Sequence, residues 1–192
     1  MAIRKPVILA FDTSAAHCAA ALLLGDEIMS RVDDMAKGQA EHLMPMLEEM
    51  LSQADLTWAD LDGIGIGVGP GNFTGIRIAL SAARGLALGL GKPAIGVNGF
   101  DARAFQEPLP YTASIPAPRQ QSYVQTFTAE GITQPVQVDA PAGTQKTASQ
   151  LTEAVAQIAA TRLSDETLRP APLYIRSADA APPRDAAPFI LR

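Results

Sequence analysis

Glycine occupies positions 63, 65, 67, 69 and 71, alternating with Ile64, Ile66, Val68 and Pro70, before the chain turns through Asn72-Phe73-Thr74-Gly75. A strand, a tight turn and a helix start in that order aim free backbone N–H groups at an anion or a capping carboxylate. Gly69, Gly71, Asn72 and Thr74 would form such a cradle, with Asn72 or Thr74 as the helix cap. The run is not a Walker loop, because no Gly-Lys-Ser/Thr follows, and GxGxxG spacing fails at Asn72 or Thr74. Alternate glycines leave one face of the strand β-branched and the other bare. A bare face admits a helix, a backbone or a ligand at close range, so the ladder reads first as a packing device, here for the helix that follows it.

Other reactive side chains are few. Ser14 and Ser81 have no His–acid pair near them in the sequence, which argues against an activated nucleophile. His17 alternates with apolar neighbours and reads as a packed or surface histidine, while His42 stands beside Glu41 at a helix start. These two histidines form no close metal-ligand pair. Cys18 is the single cysteine, which excludes an internal disulfide and a cysteine metal cluster, and it reads as a small apolar residue. Asp12-Thr13-Ser14 are common turn residues. The acids Glu41, Glu48, Glu49, Asp55, Asp60 and Asp62 follow one another without an intervening base and read as a solvated face. No catalytic residue and no metal site emerges from these patterns.

The elements that must position these residues come from hydrophobic patterning. With 47 % hydrophobic and 18 % charged residues over 192 positions, the chain is a globular protein of one domain or two small lobes. Its net charge of −5 argues against direct binding to a phosphate backbone, so any link to nucleic acid should run through a partner. The opening MAIRKPVILAFD meets Asp12 after a short apolar run and reads as a strand rather than a signal peptide. No stretch approaches roughly 18 uninterrupted apolar residues, so no membrane span is expected and the cytoplasm is the expected compartment.

Strands are expected at Pro6–Phe11, His17–Leu24 and Glu27–Val32, a helix at Gln39–Ala54, a strand at Asp62–Val68, a helix at Thr74–Gly89 and a strand at Lys92–Val97. This order gives an α/β fold with a mixed sheet. The proline-rich Phe100–Pro118 reads as a connection between a first lobe, 1–99, and a second, 100–192. Beyond it a hairpin is expected at Ser122–Ala129 and Ile132–Asp139, and a helix at Thr147–Leu163. The proline-rich tail, Arg169–Arg192, carries one strand-like piece at Leu173–Ile175. Both first-lobe helices are apolar over a wide arc, about 160° for Gln39–Ala54, where a single core contact needs about 100°. They should therefore be covered on more than one side.

The run GVGPGNFTGIRIALSAARGLALGLGKP (67–93) closely resembles the TsaB (YeaZ) family. So do LAFDTSAAHCAAAL near the start, AEHLMPMLEEML at the first helix and PLYIRSAD towards the end. The resemblance implies the actin-like ATPase (ASKHA, ribonuclease H-like) fold of two lobes, the second reduced here. It implies a subunit without an active site that binds and activates a TsaD-like protein in forming N6-threonylcarbamoyladenosine on tRNA. A TsaE-like ATPase would join the larger complex, tRNA would be met only through it, and the chain alone would form a homodimer.

The implied interface lies on the two first-lobe helices, at His42, Met46, Met50, Arg77, Leu80, Ala83 and Arg84. Asp12, Thr13 and Ser14 fall where actin-like folds place their first phosphate loop, where an acid can hold a metal-bound phosphate. The second phosphate loop reads as degraded, because Pro116 of Ile115-Pro116-Ala117-Pro118-Arg119 stands where relatives carry an acid. Ala140-Pro141-Ala142-Gly143 is all that remains of a glycine-rich adenosine-side segment. No cofactor is assigned with certainty; ATP or ADP at the interface with TsaD is the candidate. The rival reading is an independent nucleotide-binding enzyme, an ATP-dependent transferase or a peptidase.

Overall fold

The computed structural model describes residues 5–163 and 169–175. Most of the expected tail, and residues 176–179 of the PLYIRSAD match, lie outside the described residues.

A five-stranded sheet dominates, with strands β1 (Val7–Asp12), β2 (His17–Leu24), β3 (Glu27–Asp34), β4 (Gly63–Gly67) and β5 (Ala94–Val97) in the order β3-β2-β1-β4-β5. β1 and β2 form the expected hairpin, while β4 runs parallel to both β1 and β5. The helix α1 (Gln39–Gln53) links β3 to β4, and α2 (Phe73–Leu90) links β4 to β5. After β5 come α3 (Gly99–Ala104), a second sheet of β6 (Tyr111–Ala117), β7 (Gln121–Phe127) and β8 (Val136–Val138), and α4 (Ala148–Thr161).

Period-two alternation sorts the first sheet into two apolar faces. Leu9, Phe11, Leu22, Ile64 and Ile66 pack with Leu43, Leu47 and Leu51 of α1 and Ala79, Leu80 and Ala83 of α2. Ile8, Ala10, Ala21, Leu23, Ile95 and Val97 pack with Ala154, Val155, Ile158 and Ala159 of α4. Burial on both sides explains why β1 and β2 are continuous apolar runs. α2 is long and apolar enough to cross a bilayer by length and composition, yet it buries Ile76, Ala79, Leu80 and Ala83 in this core.

Within the strand the glycine ladder serves a different helix from the one expected, while Gly69 beyond the strand meets Ile76 of α2. A Cβ at Gly65 would lie 3.1 Å from the Cβ of Ala159 and 3.3 Å from Val155 Cγ1, and one at Gly63 would lie 2.6 Å from Leu163 Cδ1. The bare face thus seats α4, and α2 rests on the isoleucine face. Although α4 was expected with the second lobe, it covers the first sheet.

Two elements inside 100–118 were not expected. Asn98 starts α3 by accepting hydrogen bonds from the N–H groups of Phe100 and Asp101, both 2.9 Å. β6 pairs with β7 along its whole length and includes Pro116 opposite Ser122. A proline is tolerated there because β6 is an edge strand of its sheet. The hairpin expected at 122–139 is present as β7 and a much shorter β8. Leu173–Ile175 is not a strand, although the Leu173 N–H donates to the Val68 carbonyl at 2.8 Å.

Candidate functional site

The carboxyl ends of β1, β4 and β5 face the second sheet across a cleft of about 710 Å³. Asp12 closes its floor. Its Oδ1 accepts from the Ser14 N–H and the Ser14 hydroxyl, both at 2.8 Å, and lies 3.5 Å from His17 Nε2. Oδ2 presses on Gly67, where a Cβ would stand 1.9 Å away. Burial pushes the Asp12 carboxyl up, but the hydrogen bonds from His17 and Ser14 outweigh it and hold the group below the usual carboxylate range. The order of these side chains also decides against a peptidase triad. Asp12 sits between Ser14 and His17, so the serine hydroxyl points at the acid and not at a base.

The loop after β4 packs against the turn after β1. Thr13 is fully buried, and its hydroxyl donates to the Gly75 carbonyl at 2.7 Å. The Asn72 N–H donates to the Ser14 carbonyl at 2.7 Å, and the Asn72 carboxamide accepts the Gly75 N–H at 2.9 Å. Asn72 is thus the helix cap. Asp12, Ser14, Gly69, Gly71 and Asn72 all line the cleft. Two residues of the expected anion cradle do not. The Thr13 hydroxyl is spent inside the wall, and Thr74 faces the groove between α1 and α2. The carbonyls of Thr13 and Ser14 turn towards the start of α2, and they put negative partial charge where an anion would have to sit.

The second wall is Ile115, Pro116, Ala117, Pro118 and Tyr123. Among the described residues it offers no carboxylate. Sequence reasoning missed Arg103, which reaches the cleft from α3. Its Nη1 donates to the Gly99 carbonyl at 2.9 Å and its Nε to Gln145 Oε1 at 3.1 Å. Burial lowers its pKa, with the charges of Asp12 and Tyr111 acting the other way. The Asn98 cap was the signal that would have placed Arg103 on a helix.

A second, shallower groove of about 530 Å³ runs between α1 and α2, lined by Ala40, Leu43, Met44, Phe73, Thr74, Arg77, Ile78, Ser81 and Ala82. At its mouth Phe73 is 39 % exposed, and the Arg77 guanidinium carbon lies 3.9 Å from the centre of the Phe73 ring. Tyr174 stacks on Phe73 with ring centres 5.3 Å apart. Most of the residues expected at an interface on these helices are not on this surface. Met46 and Met50 are 1 % exposed, Leu80 4 % and Ala83 0 %, all within the core shared with the sheet. A helical wheel shows an apolar arc but not which part the sheet and the neighbouring helix already cover. His42 is held by Asp33 Oδ2 at 2.6 Å, and Arg84 Nε donates to the Pro170 carbonyl at 3.2 Å. Of the expected set, Arg77 lines the groove.

A family model described as "TsaD: tRNA N6-adenosine threonylcarbamoyltransferase" matches residues 33–168, well over half of the chain. The chain belongs to this family. Within it the similarity runs to the TsaB (YeaZ) proteins. The tRNA threonylcarbamoyladenosine biosynthesis protein TsaB of Buchnera aphidicola subsp. Schizaphis graminum is 37 % identical over 92 residues, 48 % of this chain and 44 % of that protein. The protein of the same name from Escherichia coli is 34 % identical over 91 residues, 47 % of this chain and 39 % of that protein. The chain thus spans less than half the length of these curated relatives. A solved structure of YeaZ from Pseudomonas aeruginosa superposes with a TM-score of 0.70 at 22 % identity, covering 88 % of this chain and 100 % of that one. This likeness concerns the fold, an α/β architecture with a mixed sheet.

Proposed function

We propose that this chain is a non-catalytic docking subunit that binds a TsaD-like protein and supports N6-threonylcarbamoyladenosine formation on tRNA. The observation that carries this reading is the open apolar groove between α1 and α2, where Ala40 is exposed and Met44, Ile78 and Ala82 are half-buried. An open apolar groove rimmed by an aromatic ring and an arginine has the composition of an interface core. The names of the TsaB relatives supply the process. The same face would pair two copies of the chain when TsaD is absent, and a TsaE-like ATPase and tRNA would join through the complex in the cytoplasm. ATP or ADP would belong to the interface with TsaD, since the inner cleft has an apolar second wall. No observation favours an independent transferase or peptidase.

The test uses groove residues that leave the core intact. Ala40 and Ser81 are exposed, so A40R and S81R should keep the wild-type melting temperature. Titrated against a TsaD-like partner, each should weaken binding about 100-fold, or ~2.7 kcal/mol. Unchanged affinity in both variants would refute the proposal.

A further inference from the structure

The cleft between the two sheets is lined by two opposite charges, Asp12 and Arg103, that form no ion pair with each other. Asp12 stands at the end of β1, and its Oδ2 receives no hydrogen bond from the described residues. Arg103 stands on α3, bonded only to the neutral Gly99 carbonyl and Gln145, and among the described residues no carboxylate pairs with it. The other cation of the cleft, Lys146, is engaged by Glu107 at 2.8 Å and by the Phe105 carbonyl at 3.0 Å. A half-buried guanidinium without a counter-ion is costly, and a ligand carboxylate would relieve that cost. A buried carboxylate with one open oxygen takes an ammonium or a hydroxyl in the same way.

The two charges select the ligand. Asp12 stands at the end of β1 and Arg103 on α3, which follows β5, so an anion and a cation enter one cleft from separate elements. Between the charges the walls are apolar, formed by Ile115, Pro116, Tyr123 and Val155. A pocket with a few converging polar groups on an apolar wall is how proteins fix the orientation of a small molecule. A polyphosphate fits this lining poorly. It would bring several negative charges to one unpaired guanidinium, with Asp12 held anionic on the floor.

We propose that this cleft binds a small zwitterion of the amino-acid class, its ammonium on Asp12, its carboxylate on Arg103 and its side chain against the apolar wall. The site is separate from the α1–α2 groove, so its failure and that of the docking reading are distinguishable. Thermal shift and calorimetric titration of the full chain with each of the twenty amino acids at up to about 10 mM should reveal at least one ligand.

For an apolar ligand such as L-leucine, 4-methylpentanoate (no ammonium) and isoamylamine (no carboxylate) should each bind at least tenfold more weakly, a loss of ~1.4 kcal/mol. R103Q should abolish binding while keeping its far-UV circular dichroism. R103K, which retains the charge but not the forked donor, should bind with reduced affinity and serves if R103Q does not fold. Failure of all twenty amino acids, equal binding of the analogue lacking the ammonium, undiminished binding in a folded Arg103 variant, or saturable binding of Mg·ATP in place of any amino acid would each overturn the proposal.

Discussion

Gly75 lies in the first turn of α2, where a Cβ would stand 1.8 Å from the Thr13 carbonyl oxygen and 2.8 Å from its carbon. Neither atom belongs to a flexible side chain, so Gly75→Ala must push the helix start away from the β1–β2 turn by more than about 1 Å to reach normal packing. That movement breaks the buried Thr13–Gly75 hydrogen bond of 2.7 Å, for about 1–2 kcal/mol. It also loosens the Asn72–Ser14 link, for about 1 kcal/mol more. Forced overpacking adds ~1–3 kcal/mol, while alanine returns about 1 kcal/mol of helix propensity. The net expectation is a loss of ~3 kcal/mol, or about 6–12 °C in melting temperature for a chain of this size. Gly85→Ala provides the internal control. It is the same substitution in the same helix, but its Cβ would meet nothing within 4 Å, so propensity acts alone and stabilises by ~0.5–1 kcal/mol. Thermal and urea melts followed by circular dichroism compare the two. If Gly75→Ala melts within about 2 °C of the wild type, or the two variants shift together, the close approach of α2 to the turn is wrong.

The acid limb of stability tests the cluster around Asp33. The hydrogen bond from Arg31 holds this carboxyl below its ordinary value, burial opposes, and His42 adds to the lowering. Its stabilisation is therefore complete above the unfolded value near 4 and is lost as pH falls through the folded one. Asp33→Asn should cost stability at neutral pH by an amount that shrinks below about pH 4, and a pH-independent deficit would contradict it. Cys18 is fully buried, and its thiol is raised to about 11 by burial first and then by the charges of Asp33 and Asp12. A thiol reagent at about pH 8 should leave it unmodified until the chain unfolds, and rapid reaction in the native state would show the packing to be wrong.

The first half of the fold was legible because its periods are strong. β1 and β2 are unbroken apolar runs bounded by polar turns, and α1 and α2 begin and end within a residue of the expected positions. The region after residue 98 was less legible. There proline dominated the reading, although an edge strand accepts it and a six-residue helix needs little more than its Asn98 cap. The glycine ladder announced close packing correctly, but which helix approaches is a matter of connection between distant residues, and local pattern does not contain it. The site was half legible for the same reason. Asp12 and Ser14 stand in a recognisable turn, whereas Arg103 gains its meaning only when α3 is brought across β5 to the same cleft. Four of the seven interface residues miss the surface in the opposite way: apolar periodicity marked Met46, Met50, Leu80 and Ala83 without telling core from surface.

The seating of α4 on the bare face of β4 also bears on synthesis. Gly63 and Leu163, which meet in the folded chain, are 100 positions apart, and a ribosome adding about 5–20 residues per second takes roughly 5–20 s to deliver the second after the first. Throughout that interval β1, β2, β4 and β5 can pair and receive α1 and α2, but the face formed by Ile8, Ala10, Leu23, Ile95 and Val97 has no cover. The nascent chain is a half-finished sandwich whose second slice arrives last. Cutting the message after the first five strands would leave that apolar side open, so the first lobe is finished only once α4 has been made.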